Sequence, residues 1–244
     1  MPPTPPNSPT VESCPDCGGL GYYRLDVQPG HPQFGKVLLC ECRLEWHQAR
    51  LTKISRLSPE MQGWTLNHWH HRRGKVNVVP QLRHALDNGF GWVTLSGPPG
   101  TGKTFLLAAL TNEALIMGKL GVYTTMADLL DDLRETFNPK AELHFSALFD
   151  SVLTARVLCL DEIEKFSPTA WAEEKFYQLI DHRYRNWDQG LTILATNRRI
   201  GLDKHIIQET RYPGYLESRI MDGRFQQLDQ FWQVGDARPA LGGS

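Results

Sequence analysis

The residues best suited to chemistry form a glycine-rich loop that ends in lysine and threonine. Residues 97–104 read Gly97-Pro98-Pro99-Gly100-Thr101-Gly102-Lys103-Thr104, the pattern G-x-x-x-x-G-K-T. Glycines let backbone N–H groups turn toward a polyphosphate, the lysine reaches its terminal phosphates, and the threonine hydroxyl can ligate Mg²⁺. The spacing therefore predicts that this phosphate loop binds ATP with Mg²⁺, and that Lys103 also acts in catalysis.

The segments on both sides of the phosphate loop are those that such a site requires. Residues 91–96 read as a short buried strand, and residues 104–115 read as a helix with an apolar face. The phosphates would then lie at the N-terminus of that helix, where free N–H groups and the helix dipole favour anions.

Two acids follow a second apolar strand, and a polar pair follows a third. The run from Arg156 ends in Asp161 and Glu162, and the run from Gly190 ends in Thr196-Asn197. We expect Asp161 to hold Mg²⁺, directly or through water, and Glu162 to polarise the water that attacks the γ-phosphate. Asn197 is predicted to hydrogen-bond that phosphate or water, although an asparagine after a strand is by itself more often a turn residue.

The elements that position these groups alternate along the chain. Strands are predicted at 92–96, 121–125, 156–160 and 191–195, with helices near 80–88, 103–117, 126–136 and 170–186. Repeated β-α-β units predict an α/β fold with a parallel sheet and helices on both faces. Cys159 lies inside one of these strands and is expected to be only a small buried side chain.

Four other cysteines lie ahead of this domain. Cys14-x2-Cys17 and Cys40-x-Cys42 flank a glycine-containing segment in which 22–25 and 36–39 can pair as short strands. Paired cysteines at this spacing predict a tetrahedral four-cysteine zinc module, whose metal would supply much of its folding free energy. Free thiols or another metal such as an iron–sulfur cluster remain alternatives, as do His31 and His47 as ligands.

Composition limits the class of protein. The chain has 244 residues, 41% of them hydrophobic, with a net charge of −1. No apolar run approaches a membrane span, the N-terminus has no signal-peptide pattern, and we expect a cytoplasmic protein. The charge argues against coating nucleic acid by charge alone. Local basic clusters occur at His68, His70, His71, Arg72, Arg73 and Lys75 and at Arg198-Arg199. They could form a local basic track, but solvated surface is the favoured explanation of both.

The expected organisation has five parts. These are a disordered proline-rich tail (1–10), the zinc module (11–45), a linker helix and connector (46–75), the ATPase domain (76–232) and a flexible tail (233–244). The linker helix is predicted from residue 43 to 57.

Taken together, these motifs resemble an AAA+ ATPase of the DnaC-like helicase loader and IstB-like group. The resemblance covers roughly 60–232. It rests on the phosphate loop, on Leu160-Asp161-Glu162-Ile163, on Phe176-Tyr177-Gln178-Leu179-Ile180-Asp181-His182-Arg183-Tyr184 and on Thr196-Asn197. Some loaders of this group also carry an N-terminal cysteine cluster.

The resemblance implies a nucleotide site shared between subunits of a homo-oligomer. In this group an arginine near the C-terminus reaches the neighbour's nucleotide, and the matching stretch makes Arg219 the candidate finger, with Arg224 as runner-up. A guanidinium there would neutralise charge on the γ-phosphoryl group, although a surface arginine at a helix cap is the alternative. We expect no helical lid domain, so that closure over the nucleotide depends more on the neighbour.

Three functions stay open. The first is a replicative helicase loader on single-stranded DNA, partnered with a ring helicase through the zinc module. The second is an IstB-like transposition helper on duplex DNA, partnered with a transposase, and the third is a nucleotide-switched binding module without turnover. Basic and aromatic residues that can contact DNA, or simply pack helices, are Arg134, Phe137, Lys140, His144 and Phe145.

Overall fold

The computed structural model describes residues 14–18, 20, 22–24, 27–28, 31, 34–35, 37–40, 42, 55–69, 77–141, 144–200 and 214–233. The chain forms two compact units, Met1–Lys53 and Ile54–Ser244. Several predicted features lie outside the described residues: the tail 1–10, His47 and most of the helix at 43–57, the basic residues at 70–75, and the tail from 234. Within the described ranges, no helix is long and apolar enough to cross a membrane.

The small unit contains a two-stranded antiparallel sheet. Strand β1 (Tyr22–Arg24) pairs with β2 (Val37–Leu39), with Tyr22 opposite Leu39. Ahead of β1, the N–H of Gly18 donates to the carbonyl of Cys14 over 2.8 Å. Gly18 has φ +58°, a backbone conformation that glycine adopts without a side-chain clash, and this turn brings Cys14 and Cys17 onto one side.

The large unit is built on a five-stranded parallel sheet between helices, as predicted. Its strands are β3 (Gly91–Ser96), β4 (Gly121–Thr125), β5 (Val157–Asp161), β6 (Leu191–Thr196) and β7 (Gln226–Leu228), in the order β4-β5-β6-β3-β7. Strands β5, β6 and β3 are nearly continuous runs of buried residues. Burial on both faces is what a parallel sheet with helical layers requires.

Six α-helices accompany the sheet in the described residues. They are α1 (Val79–Asn88), α2 (Lys103–Ile116), α3 (Met126–Glu135), α4 (Phe145–Leu153), α5 (Ala170–Arg185) and α6 (Tyr215–Ile220). The sequence did not predict α4, α6 or β7. Strand β7 has only three residues, two of them exposed glutamines, so its position depends on pairing with β3 and not on a hydrophobic pattern.

Arg183 fastens α5 to the amino-terminal side of two strands. Its guanidinium donates to the carbonyls of Ala155 and Leu191 over 2.7 and 2.8 Å and to Thr192 Oγ1 over 2.8 Å. A further hydrogen bond reaches the carbonyl of Leu153. Burial lowers the pKa of Arg183 to about 10, and these acceptors compensate the desolvated charge.

The large unit begins earlier than the expected residue 76. The N–H of Arg56 donates to the carbonyl of Tyr123 in β4, and Asn112 in α2 donates to the carbonyls of Met61 and Trp64. Leu66 is 2% exposed within the hydrophobic core. Residues 55–69 therefore pack within the large unit and are not a free connector.

Candidate nucleotide-binding and hydrolysis site

The carboxyl ends of three adjacent strands form the site. Strand β3 lies between β6 and β7 and leads into the phosphate loop, while β5 ends at Asp161 on the other side of β6. Ser96 is in register with Thr196, so the phosphate loop and Asn197 leave the sheet side by side. Open parallel sheets place their ligands at this edge.

Glycines allow the phosphate loop to approach two aromatic residues closely. A Cβ atom on Gly97 would lie 2.2 Å from Cβ of Phe231, and one on Gly102 would lie 2.6 Å from the ring of Trp69. Gly100 and Gly102 also have φ +78° and +92°. No sequence pattern pointed to Phe231 or Trp69 as neighbours of the loop. Phe231 is distant along the chain, and Trp69 lies in a segment without a motif.

Lys103 lies in the phosphate loop, and its ammonium group donates three hydrogen bonds. Nζ donates to the carbonyls of Gly97 and Pro98 over 2.6 and 2.9 Å and to Asn197 Oδ1 over 2.9 Å. Burial lowers the pKa of Lys103, and the charges of Asp161, Glu164 and Glu162 oppose that shift. These hydrogen bonds lie where a polyphosphate would compete for the same cation.

Thr104 and Asp161 bring together two oxygen groups suited to Mg²⁺. Thr104 Oγ1 donates to Asp161 Oδ2 over 2.6 Å, and the hydroxyl of Tyr123 donates to the same oxygen over 3.3 Å. Asp161 is 3% exposed, and burial raises its pKa while the hydrogen bond from Thr104 opposes the rise. A hard cation takes carboxylate and hydroxyl oxygens, so the donor set fits Mg²⁺.

Glu162 has an unusual backbone and an ionic partner. Its φ of +48° is the only positive value for a residue other than glycine in the described part of the chain. Its carboxylate is 2.5 Å from Nζ of Lys165, three residues later. Such conformations concentrate at functional sites, and this one turns the chain sharply at the end of β5.

Asn197 connects Lys103 to a carboxylate that the sequence analysis did not single out. Its side-chain oxygen accepts from Lys103, and its backbone N–H donates to Glu164 Oε1 over 2.9 Å. Glu164 follows Glu162 by two residues. A further acidic residue so soon after the end of β5 is the sequence feature that could have identified it. The structure therefore brings these predicted residues together as two hydrogen-bonded pairs, Lys103 with Asn197 and Thr104 with Asp161, and Glu164 is bonded to the first pair through Asn197.

Arg219 is held against two tyrosines of its own chain. Its guanidinium carbon lies 4.2 and 4.7 Å from the ring centres of Tyr184 and Tyr215. The hydroxyl groups of these tyrosines donate to Asp222 and Asp181. Arg224 is paired with Asp222, so both finger candidates lie on one surface built from α5 and α6.

The four cysteines of the small unit form a compact cluster. All four Sγ atoms lie within 4.8 Å of one another, with 3.6 Å between Cys14 and Cys40 and 3.4 Å between Cys17 and Cys42. A tetrahedral site with Zn–S bonds of about 2.3 Å needs sulfurs about 3.8 Å apart, so the cluster fits zinc. Cys159 is fully buried elsewhere, where burial raises its pKa to about 12.

Aromatic and basic side chains meet on helices α3, α4 and α5. Phe137 is 61% exposed and stacks on Phe145, with 5.7 Å between ring centres and an interplanar angle of 5°. The guanidinium carbon of Arg134 lies 5.1 Å from the ring centre of Trp171, and Nζ of Lys175 lies 5.4 Å from that of Phe145. This aromatic-basic surface contains three of the five residues expected there for DNA contact.

Comparison with known proteins agrees with this geometry. The family model described as IstB-like ATP binding protein matches residues 73–221. Replicative helicase loader DnaC of Escherichia coli (strain K12) is 28% identical over 113 residues, 45% of this chain and 46% of that protein. DnaC of Buchnera aphidicola subsp. Schizaphis graminum (strain Sg) is 30% identical over 112 residues, 46% of each. The chain thus matches about half the length of these curated relatives.

Solved structures show the same fold. A crystal structure of the DnaC helicase loader superposes with a TM-score of 0.53 at 21% identity, covering 70% of this chain and 99% of that one. AMPPCP-bound DnaA from Aquifex aeolicus superposes with a TM-score of 0.56 at 23% identity, covering 71% of this chain and 51% of that one. At these identities the likeness concerns the fold alone.

Proposed function

The chain belongs to the IstB-like ATP-binding protein family and is a DnaC-like AAA+ ATPase, and from this premise we propose that it loads a ring-shaped replicative helicase onto single-stranded DNA. The observation that carries the proposal is the pair of hydrogen bonds, Lys103 to Asn197 and Thr104 to Asp161, at the carboxyl ends of β3, β5 and β6. The similarity of the chain to replicative helicase loaders supports the proposed role in helicase loading.

The geometry of the site supports ATP hydrolysis, and each of its side chains has a role in the proposed reaction. The phosphate loop N–H groups bind the phosphates, and Lys103 exchanges the loop carbonyls for phosphate oxygens. Thr104 and Asp161 would hold Mg²⁺, and the cation would supply charge neutralisation at the phosphates. Glu162 leaves Lys165 to polarise the attacking water, and Asn197 orients that water or the γ-phosphate.

The active form is a homo-oligomer with ATP at the subunit interface. Arg219 lies beside Tyr184 and Tyr215, and this contact restricts the guanidinium while leaving its charge available to a neighbour. In the assembly Arg219 reaches the γ-phosphate held by the adjacent subunit and stabilises the transition state.

Single-stranded DNA is the nucleic-acid partner in this proposal. Exposed Phe137, stacked on Phe145, offers a ring face to a base, and Arg134 and Lys175 supply positive charge near it. The zinc module (11–45) contacts the helicase, and hydrolysis releases the loader from its partner.

A capture and loading experiment tests the role. The Glu162→Gln variant with ATP should retain a ring helicase and transfer it to circular single-stranded DNA, while Lys103→Ala should not retain it. Stimulation of ATP hydrolysis by single strands and not by duplex DNA is the second expected result. Capture of a transposase with stimulation by duplex DNA would contradict the loader role.

The second candidate function is an IstB-like transposition helper that acts on duplex DNA. The observation that favours it is the family model itself, whose match spans 73–221. A nucleotide-switched binding module without turnover is the third candidate, favoured by the ion pair that holds Glu162 on Lys165. Measured turnover that Glu162→Gln abolishes would exclude the third.

A further inference from the structure

Glu164 is a carboxylate beside the nucleotide site that none of the motifs above uses. Its Oε1 accepts the backbone N–H of Asn197 over 2.9 Å. Its Oε2 is buried and has no hydrogen-bond partner among the described residues. The N–H of Ile163 donates to the carbonyl of Ala195, so the residues after β5 run along the end of β6.

Glu164 is half-buried, and one of its two carboxylate oxygens has no partner among the described residues. Burying a carboxylate oxygen without a partner carries a desolvation penalty, and buried charges are normally paired. Burial lowers the pKa of the Lys103 ammonium group, and the negative charge of Glu164 opposes that shift, together with the charges of Asp161 and Glu162. Glu164 therefore belongs electrostatically to the group around Lys103, although its hydrogen bond goes to Asn197.

We propose that Glu164 is a positioning residue that, by holding the backbone of Asn197, makes the site discriminate ATP from ADP. This inference rests on the proposed function, because it assigns Asn197 the task of sensing the γ-phosphate. Glu164 itself does not touch the nucleotide. It anchors the peptide from which the Asn197 amide projects, and thereby sets where that amide points.

The contacts of Lys103 explain why the anchor matters. Asn197 Oδ1 accepts from Lys103, which also donates to Gly97 and Pro98. When phosphates draw Lys103 away, Asn197 loses that side-chain partner, and its backbone bond to Glu164 becomes what keeps it in place. A triphosphate presents a γ-phosphate to the anchored amide, whereas a diphosphate does not. The anchor therefore contributes to ATP affinity more than to ADP affinity.

Calorimetry on the full chain with Mg²⁺ tests the proposal, using a non-hydrolysable ATP analogue and ADP as probes. Wild-type protein should prefer the ATP analogue. Glu164→Ala should weaken binding of the analogue about tenfold while ADP affinity changes less than about twofold, the size expected for one hydrogen bond. Glu164→Gln keeps an oxygen acceptor for the Asn197 N–H and should retain the preference. Glu60→Ala, at an exposed turn, is the matched control.

A double-variant cycle separates positioning from scaffold effects. In an Asn197→Ala background, Glu164→Ala should cause no further loss of preference, because the two residues act as one unit. If Glu164→Ala does not fold, as judged by thermal unfolding, Glu164→Asp serves in its place, since it keeps the charge but shortens the reach. Equal losses for both nucleotides, additive effects, or a wild-type protein without preference would each overturn the proposal.

ATP turnover is measured separately on the same proteins. Absence of turnover in the wild type would contradict the proposed hydrolysis, while the ratio of analogue to ADP affinity would still decide the role of Glu164. The expected kinetic counterpart is a KM for ATP that rises in Glu164→Ala and returns toward the wild-type value in Glu164→Gln.

Discussion

Nζ of Lys103 lies 2.9 Å from Oδ1 of Asn197, although the two residues are 94 positions apart in the chain. One begins α2, and the other follows β6. Their contact exists because β3 and β6 are neighbours in a parallel sheet and end at the same edge. Any ligand that draws Lys103 toward itself must also alter the bonding of Asn197, so binding at the phosphate loop is transmitted directly to a second strand.

Replacing Glu162 by glutamine should separate binding from turnover. The Glu162→Gln protein should bind ATP like the wild type but hydrolyse it at least about 100-fold more slowly, since an amide cannot accept a proton from water. Steady-state hydrolysis and calorimetry measure the two quantities. Glu60→Gln is the matched control, and normal hydrolysis by Glu162→Gln would contradict the mechanism.

Loss of the loop cation should weaken nucleotide binding. For Lys103→Ala we expect a loss of about 1.5–3 kcal/mol in ATP binding free energy, the usual range for a hydrogen bond to a charged group. Calorimetry with ATP and Mg²⁺ measures it, and Lys140→Ala provides a lysine control outside the phosphate loop. Unchanged affinity would remove Lys103 from its assigned role.

In the proposed assembly Arg219 acts on the neighbouring subunit's nucleotide, so its loss should be complemented by mixing. Arg219→Ala should bind ATP normally and lose turnover by about 10³-fold, the lower end for an arginine finger. Adding Lys103→Ala subunits, which carry an intact Arg219, should restore part of the activity.

The controls for this experiment are two other arginines. Arg156 lies at the amino-terminal edge of the sheet, opposite the site, and donates to the carbonyl of Gln189. The Arg156→Ala protein should therefore behave as wild type. Arg224→Ala tests the runner-up. Absence of complementation in the mixture would argue that Arg219 does not act in trans.

The cysteine cluster predicts metal content directly. Purified protein should hold about one equivalent of zinc, and Cys14→Ser or Cys40→Ser should lower it, because four thiolates complete a tetrahedral site. Elemental analysis measures the zinc. Cys159→Ala, distant in sequence and absent from the cluster, should leave the content unchanged. Less than about half an equivalent in the wild type would refute a zinc module.

Arg183 should contribute strongly to stability. Arg183→Met leaves the carbonyls of Ala155 and Leu191 and the hydroxyl of Thr192 without their donor, so the free energy of unfolding should fall by about 3 kcal/mol or more. Denaturant unfolding measures the change. Arg185→Met removes an exposed guanidinium from its ion pair with Asp181, which keeps its hydrogen bond from Tyr215, and should change the free energy of unfolding by less than about 1 kcal/mol. Equal effects would contradict the interpretation.

The sequence by itself determined four of the five strands of the large sheet, the phosphate loop and the cysteine pairs. Each depends on a local pattern: apolar runs between helical segments, glycines before Lys103-Thr104, and cysteines separated by one or two residues. Such patterns arise from backbone geometry within a few residues, so they can be seen without knowing what packs nearby.

Only the tertiary structure decided which distant side chains meet. The bonds from Thr104 to Asp161, from Lys103 to Asn197 and from Asn197 to Glu164 depend on the order of the strands. So do the approach of Phe231 to Gly97 and the place of β7 beside β3. Strand order follows from how helices and sheet bury apolar surface together, a property of the whole domain that no short segment contains.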